Sequence, residues 1–265
     1  MHPAFAPSDP DADQVSRFYD DFAGDYAAAV TDWNLAVQRQ ARSLGTVIAD
    51  RVGDRSRVLD CAAGIGTQAL GLAARGFEVT ASDMSVGALA QARAEADRRG
   101  LTLAWAVGDM RDLSPDLGEF DAVLCCDNSL PHVAEPDLPR ALASMRARLR
   151  DGGLLLLSLR DYAQHRTAAP TVTAPQRSIA VDGTETVGLQ TWDWVDLRTY
   201  VATQLLLRRR PEAPWSARVV GSVTMTAYSR GEVLDQVARA GFVDGEWLSP
   251  DRTGYHQHVL LAHRA

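Results

Sequence analysis

The stretch Val58–Ala73, VLDCAAGIGTQALGLA, decides the fold. An apolar run ends at Asp60, Gly64 and Gly66 follow, and the chain continues as an apolar-patterned helix closed by Gly76. Glycines lack a Cβ, so their backbone can approach a ligand closely. The helix that follows offers free N–H groups at its start. Such a turn usually cradles a phosphate, and with Ala69 in the third glycine position and Asp83 ending the next strand the spacing also satisfies a dinucleotide pattern. Asp60 argues the other way. A carboxylate at the mouth of the turn repels a pyrophosphate and suits a ligand that carries positive charge.

Outward from this turn, strands and helices alternate. SRVLDCA, FEVTASD, LTLAWAVGD, FDAVLCCD and LLLLSLRD read as strands. Between them, SVGALAQARAEADRRG is a helix with Ser85 as N-cap and Gly100 after its end, and DLPRALASMRARLRDGG is a helix with a glycine stop. This alternation predicts right-handed crossovers and a mostly parallel sheet. Upstream, VSRFYDDFAGDYAAAVTDW puts Phe18, Phe22, Tyr26 and Val30 on one helical stripe, and a second amphipathic helix ends at Gly53. After Asp161 the rhythm changes to β segments separated by turn residues, which reads as an antiparallel insertion. SRGEVLDQVARAG, with Ser229 as N-cap, and the strands FVDGEWLS and HQHVLLAHR return to the core.

The expected architecture is an α/β, Rossmann-like, seven-stranded mostly parallel sheet with an N-terminal helical lid and an inserted antiparallel β cap. Its divisions are a disordered tail over 1–13, the lid over 14–53, a cofactor-binding core over 54–161, the insertion over 162–228 and a C-terminal completion of the core over 229–265.

The composition narrows the function. The 265 residues are 46% hydrophobic and 23% charged, which allows one large core. A net charge of −7 disfavours a nucleic-acid binder. All 27 basic residues are Arg, which removes a Lys Schiff base, a P-loop lysine and a Tyr-x-x-x-Lys pair. Cys61, Cys125 and Cys126 sit in or beside apolar runs, without a C-x-x-C pair or a His cluster, so they read as buried thiols and no metal is expected. No apolar run reaches membrane-span length, and the N-terminus lacks a basic region followed by an apolar one, so a cytoplasmic protein is expected.

Two further acids match the requirement for a cationic ligand. Asp83 can take both ribose hydroxyls, because a carboxylate offers two acceptor oxygens. Asp109, in VGDM after the third strand, can accept from an adenine amino group, with the Met110 N–H meeting a ring nitrogen. S-adenosylmethionine carries a sulfonium and an α-ammonium group and no phosphate, which makes it the expected cofactor and S-adenosylhomocysteine its product. D-C-A-A-G-I-G-T-Q, S-D-M-S, G-D-M-R and C-D-N-S-L-P-H together resemble the class I S-adenosylmethionine-dependent methyltransferases, most of all the glycine and sarcosine N-methyltransferase branch. Ala63 departs from the Cys or Gly usual there.

The resemblance implies a methyltransferase acting by in-line displacement on a small-molecule acceptor, first of all the nitrogen of a small amine or amino-acid-like compound. It implies cofactor contacts from Asp60, Ala62, Gly64, Gly66, Asp83, Met84, Asp109, Met110 and Asp127. A lid contributes Tyr19 and Trp33 near the sulfonium, by attraction of cations to aromatic faces, and Arg39 for the methionine carboxylate. Asn128 and Arg160 match positions that hold an acceptor carboxylate. Arg160 is read equally as a salt-bridge partner of Asp161 or another acid, and His132 equally as a general base and as a structural histidine. Trp192 and Tyr255 are expected to wall the substrate pocket, with His256 at its edge. O- or C-methylation, an NAD-dependent oxidoreductase and a non-catalytic binder remain as alternatives. A homo-oligomer is left open, and neither a membrane nor a nucleic-acid partner is expected.

Overall fold

The structure is a computed structural model describing residues 10–162 and 171–265. Most of the segment expected to be a disordered tail, residues 1–9, lies outside the described residues, as do 163–170 of the insertion.

The chain opens with α1 (Pro10–Tyr26), a 3-10 turn at Ala27–Ala29 and α2 (Trp33–Val52). The helix thus starts before Gln14, and the stripe expected to run on through Val30 breaks at Tyr26. Asp32 restarts it by accepting the Leu35 N–H at 2.9 Å as the N-cap of α2. Then follow β1 (Arg57–Asp60), α3 (Thr67–Ala74), β2 (Glu78–Asp83), α4 (Val86–Arg99), β3 (Ala104–Val107), β4 (Phe120–Cys125), α5 (Leu138–Ala147) and β5 (Leu149–Leu159). The glycines expected to stop α5 lie inside β5 instead. The helix ends at Ala147, and Gly152–Gly153 sit where the register with β4 shifts, as glycines do at a bulge. Ser85 and Gly100 cap α4 as the sequence suggests.

These strands form a seven-stranded sheet ordered β10-β11-β5-β4-β1-β2-β3, completed by β10 (Phe242–Leu248) and β11 (His258–Arg264). Among the seven strands, β11 alone runs against the direction of the others. The run Leu154–Leu157 is completely buried, because a central strand covered on both faces has no wet side. Each such leucine contributes about 1.5–3 kcal/mol by leaving water. The order reverses direction between β1 and β4, and open α/β sheets bind ligands at the carboxyl edge of that switch point.

The insertion is a separate antiparallel sheet of β6 (Gln176–Ile179), β7 (Glu185–Trp194), β8 (Thr199–Arg209) and β9 (Ser216–Thr226). The last helices are α6 (Arg230–Arg239), started by a Ser229–Glu232 capping box, and the short α7 (Pro250–Thr253). The insertion grips the N-terminal segment. A Cβ on Gly188 would lie 2.8 Å from the Ala29 carbonyl oxygen, so only glycine lets β7 approach so closely. Arg208 and Arg218 both pair with Asp25 of α1, at 2.7 and 2.6 Å. No helix among the described residues is long and apolar enough to cross a membrane.

Candidate functional site

Two cavities meet above the carboxyl edge of the parallel sheet. The lower is a slot of about 70 Å³ between the β1, β2, β3 and β4 strand ends and α1. The upper, of about 930 Å³, lies between α1, α2, the β4 and β5 ends and the insertion. Tyr19, Tyr26, Thr67, Asp127 and His132 line both.

Ala62, Gly64, Asp83, Met84, Asp109 and Met110 line the slot. Gly64 has φ +53°, and nothing lies within 4 Å of where its Cβ would stand, so the turn faces open space. Gly66 also serves the packing of the helices. A Cβ there would meet Leu70 and Ala92 at 2.9 and 3.1 Å, so this glycine lets α3 and α4 pack. Asp83 Oδ2 accepts the Gly64 N–H at 2.7 Å and Oδ1 the Ser85 N–H at 2.8 Å. Each oxygen keeps acceptor capacity, and burial raises the pKa of the group. Asp109 is less free than the sequence suggests. Its Oδ2 takes the Arg111 guanidinium at 2.7 and 2.9 Å and Oδ1 the Arg111 N–H at 2.8 Å, so Oδ1 alone keeps ready capacity.

Asp60 is 1% exposed and stands behind the turn rather than in the slot wall. Its Oδ1 receives only a long 3.4 Å contact from the Ala62 N–H, and Oδ2 has no hydrogen-bond partner. Burial, with Asp83 and Asp127 adding repulsion, pushes its pKa up to about 7. The donor set therefore fits a cation-bearing nucleoside and not a pyrophosphate. An orphaned buried carboxylate, an open glycine turn and a second carboxylate at the end of β2 suit S-adenosylmethionine. The slot is narrow because Val15, Tyr19 and Tyr26 of α1 fill it. Asp20 holds α1 down by accepting from Ser85 Oγ at 2.6 Å and the Gly87 N–H at 2.7 Å, at the positive end of α4.

The upper cavity brings together Trp33, Arg39, Asn128, Arg160, Trp192 and Tyr255. Trp33 donates its indole N–H to Thr67 Oγ1 at 3.0 Å. Arg39 is exposed at the α2 rim. Asp127 and Asn128 have φ of +58° and +66°, a left-handed pair that non-glycine residues adopt at a cost of about 1–3 kcal/mol each. Side chains hold them there. Asn128 Oδ1 accepts the Arg160 N–H at 3.2 Å and Nδ2 donates to the Tyr162 hydroxyl at 2.8 Å, which meets the Tyr200 hydroxyl at 2.7 Å. Asp127 Oδ1 meets His256 Nε2 at 3.0 Å. Burial alone would raise the Asp127 pKa, but His256 and the Arg160 charge hold it below the usual range.

Arg160 does not pair with Asp161, which lies 3.7 Å from Arg230. Its guanidinium stands 5.3 Å over the Trp192 ring, and no carboxylate among the described residues comes within ion-pair distance. Burial would weaken its charge, but the Tyr162 and Tyr200 hydroxyls and Asp127 outweigh that and keep it charged. His132 Nε2 lies 2.9 Å from the Tyr19 hydroxyl, and its Nδ1 has no partner. Burial and Arg160 lower its pKa to about 4, so the ring is neutral. The sequence reading did not single out Thr67 and Gln68, which follow the glycine turn directly, or Tyr162. Position in the turn pointed to the first two, whereas the Tyr162 role depends on a contact with the insertion.

The comparisons with known proteins agree with this geometry. Residues 58–153 match the family described as methyltransferase domain. Over these residues the chain is similar to a methyltransferase domain. The chain is 38% identical over 133 residues to a glycine/sarcosine N-methyltransferase of Parasynechococcus marenigrum, covering 49% of this chain and 46% of that protein. It is 32% identical over 156 residues to one of Halorhodospira halochloris, covering 57% of each. It thus spans about half the length of the curated relatives it matches. Among solved structures, an S-adenosylmethionine-dependent methyltransferase from Clostridium acetobutylicum has a TM-score of 0.72 at 16% identity, over 93% of this chain and 99% of that one. CalS10, an amino pentose methyltransferase from Micromonospora echinaspora, has a TM-score of 0.69 at 20% identity over 100% of both chains. At such identities the likeness is one of fold.

Proposed function

We propose that this protein is an S-adenosylmethionine-dependent methyltransferase that methylates the nitrogen of a small amine bearing an acidic group. The observation that carries this reading is the junction of the two cavities. A carboxylate-bordered slot opens, at Tyr19, Asp127 and His132, into a cavity with a charged Arg160 that no carboxylate among the described residues meets at ion-pair distance. Asp83 holds the ribose, Asp60 answers the α-ammonium and Arg39 the methionine carboxylate. The named glycine/sarcosine relatives support an amine acceptor with a carboxylate.

S-adenosylmethionine supplies an already activated methyl group, so the protein chiefly aligns the acceptor. Arg160 anchors the acceptor's acid as a two-pronged donor. Fixing the geometry can remove roughly 7–11 kcal/mol from a bimolecular barrier in favourable models. Tyr19 and His132 stand where the reacting atoms meet. A histidine with a pKa of about 4 is a poor proton acceptor. His132 therefore serves to fix the Tyr19 phenol through their shared hydrogen bond, and the amine arrives already neutral. The acceptor is a diffusible small molecule of the cytoplasm.

Transfer of labelled methyl from S-adenosylmethionine to glycine and other amino acids, by wild type and Arg160→Leu, tests this reading. Wild type methylates carboxylate-bearing amines. Arg160→Leu weakens acceptor binding by about 2–5 kcal/mol and leaves S-adenosylhomocysteine affinity nearly intact. Full activity on neutral or cationic amines, indifferent to Arg160→Leu, would overturn the acidic acceptor.

A further inference from the structure

The upper cavity is much larger than an amino acid requires. Its volume of about 930 Å³, which the donor's methionine end shares at Trp33 and Arg39, lies near the top of the range of about 300–1,000 Å³ typical of sites for drug-sized ligands. Selectivity for a very small substrate needs close walls or unpaired polar groups that penalise anything larger. Here Trp192 of the insertion packs against Arg160, and the other described insertion residues that line the cavity stand beyond it.

The anchor around Arg160 is also incomplete for a glycine-sized ligand. The Asn128 amide is already engaged, by the Arg160 N–H at Oδ1 and by the Tyr162 hydroxyl at Nδ2. A glycine carboxylate would gain the guanidinium and at most one further N–H.

The far wall offers more. Every described residue that lines the cavity from the insertion, from Val172 to Met225, is uncharged. Gln190 accepts the Trp192 indole N–H at 3.4 Å, so it flanks the same ring that Arg160 covers. Gln176 accepts the Thr31 hydroxyl at 2.7 Å. In both glutamines the amide nitrogen makes no hydrogen bond among the described residues. Gln204 is the reverse case. Its nitrogen donates to the Leu189 and Leu205 carbonyls, both at 3.1 Å, and its oxygen is uncommitted.

We infer that the acceptor is larger than glycine or sarcosine: an amine whose acidic group sits at Arg160 and whose uncharged hydroxyl- or amide-bearing body reaches Gln190 and Gln176 on the insertion. This rests on the reading of the protein as a methyltransferase for acidic amines. The uncharged wall sets the amides of Gln190 and Gln176 among apolar side chains such as Leu189, Val223 and Met225, which matches a neutral body that carries a few hydrogen-bonding groups. The charged groups lie on the opposite side, on α2 and the β4 and β5 ends.

The experiment compares kcat/KM for glycine, sarcosine, glycylglycine, glycylglycylglycine and 2-amino-2-deoxygluconate, with labelled S-adenosylmethionine and the full chain. At least one of the three larger acceptors is expected to exceed glycine by tenfold or more. In Gln190→Leu, the ratio of kcat/KM for that acceptor to kcat/KM for glycine falls about fivefold, the worth of one neutral hydrogen bond. Glycine or sarcosine as the best substrate, or an unchanged ratio in Gln190→Leu, would overturn the inference while leaving the methyltransferase reading in place. Turnover of none of the five would remove that reading, and the inference with it.

Discussion

Replacing Asp60 with Asn should stabilise the empty protein and weaken donor binding, an uncommon pair of effects. Asp60 is 1% exposed with an unpartnered oxygen, and its pKa stands near 7 rather than at the usual 3.8. Because the folded state binds this proton more tightly than the unfolded chain, the sign is fixed. The cost is absent below about pH 4, grows as the pH rises, and is complete above about pH 7. A difference of about 3 pKa units corresponds to roughly 4 kcal/mol, an upper figure for one buried group among other acids. Asn matches the neutral acid in shape. Asp60→Asn should therefore melt like wild type at pH 4 and higher at pH 8. At roughly 2–4 °C per kcal/mol for a chain of this size, the gain is up to about 8–16 °C. The same variant loses a charged partner for the ligand ammonium, about 1.5–3 kcal/mol of S-adenosylhomocysteine affinity. Melting curves at the two pH values and calorimetric titration read both effects. A lower melting temperature at pH 8, or an unchanged dissociation constant, would refute the idea of a buried charge that the ligand satisfies.

Asp83→Ala should weaken S-adenosylhomocysteine binding by about 1.5–3 kcal/mol, and an unchanged dissociation constant would remove Asp83 from the ribose site. Asp20→Asn loosens the attachment of α1 to the start of α4, worth about 0.5–1 kcal/mol at this exposed cap. Faster amide exchange over 13–26 and faster donor association are expected, and unchanged values of both would mean that α1 does not gate the slot. With His132 at a pKa of about 4, kcat/KM should climb with pH toward the acceptor amine's own pKa and show no step near 6.5. A step there that disappears in His132→Gln would restore a general-base role to His132.

The core was legible because its signals are local. Asp60, Gly64 and Asp83 fall at fixed distances along one strand–turn–helix–strand unit, and their neighbourhood follows once the sheet is parallel. Caps such as Ser85 and Ser229 are equally local. The acceptor side was less legible because its contacts are long-range. Asn128 meets Tyr162 across 34 positions, and Tyr162 meets Tyr200 across 38. Nothing in the spacing of C-D-N-S-L-P-H says that the Asn amide is spent on a buried tyrosine. The engagement of Asp109 by Arg111 was in plain view two residues away, but an acid–Arg pair at that spacing is as readily split by solvent as closed. The closeness of β7 to Ala29, which Gly188 permits, shapes the cavity and leaves no periodic trace.

The most direct test of the central claim is calorimetric titration of the protein with S-adenosylhomocysteine and, separately, with NAD. A slot lined by Asp83 and Asp127, with Asp60 buried behind its glycine turn, should give one saturable site for S-adenosylhomocysteine and no measurable heat of binding for NAD. Tight binding of NAD, with none of S-adenosylhomocysteine, would contradict it.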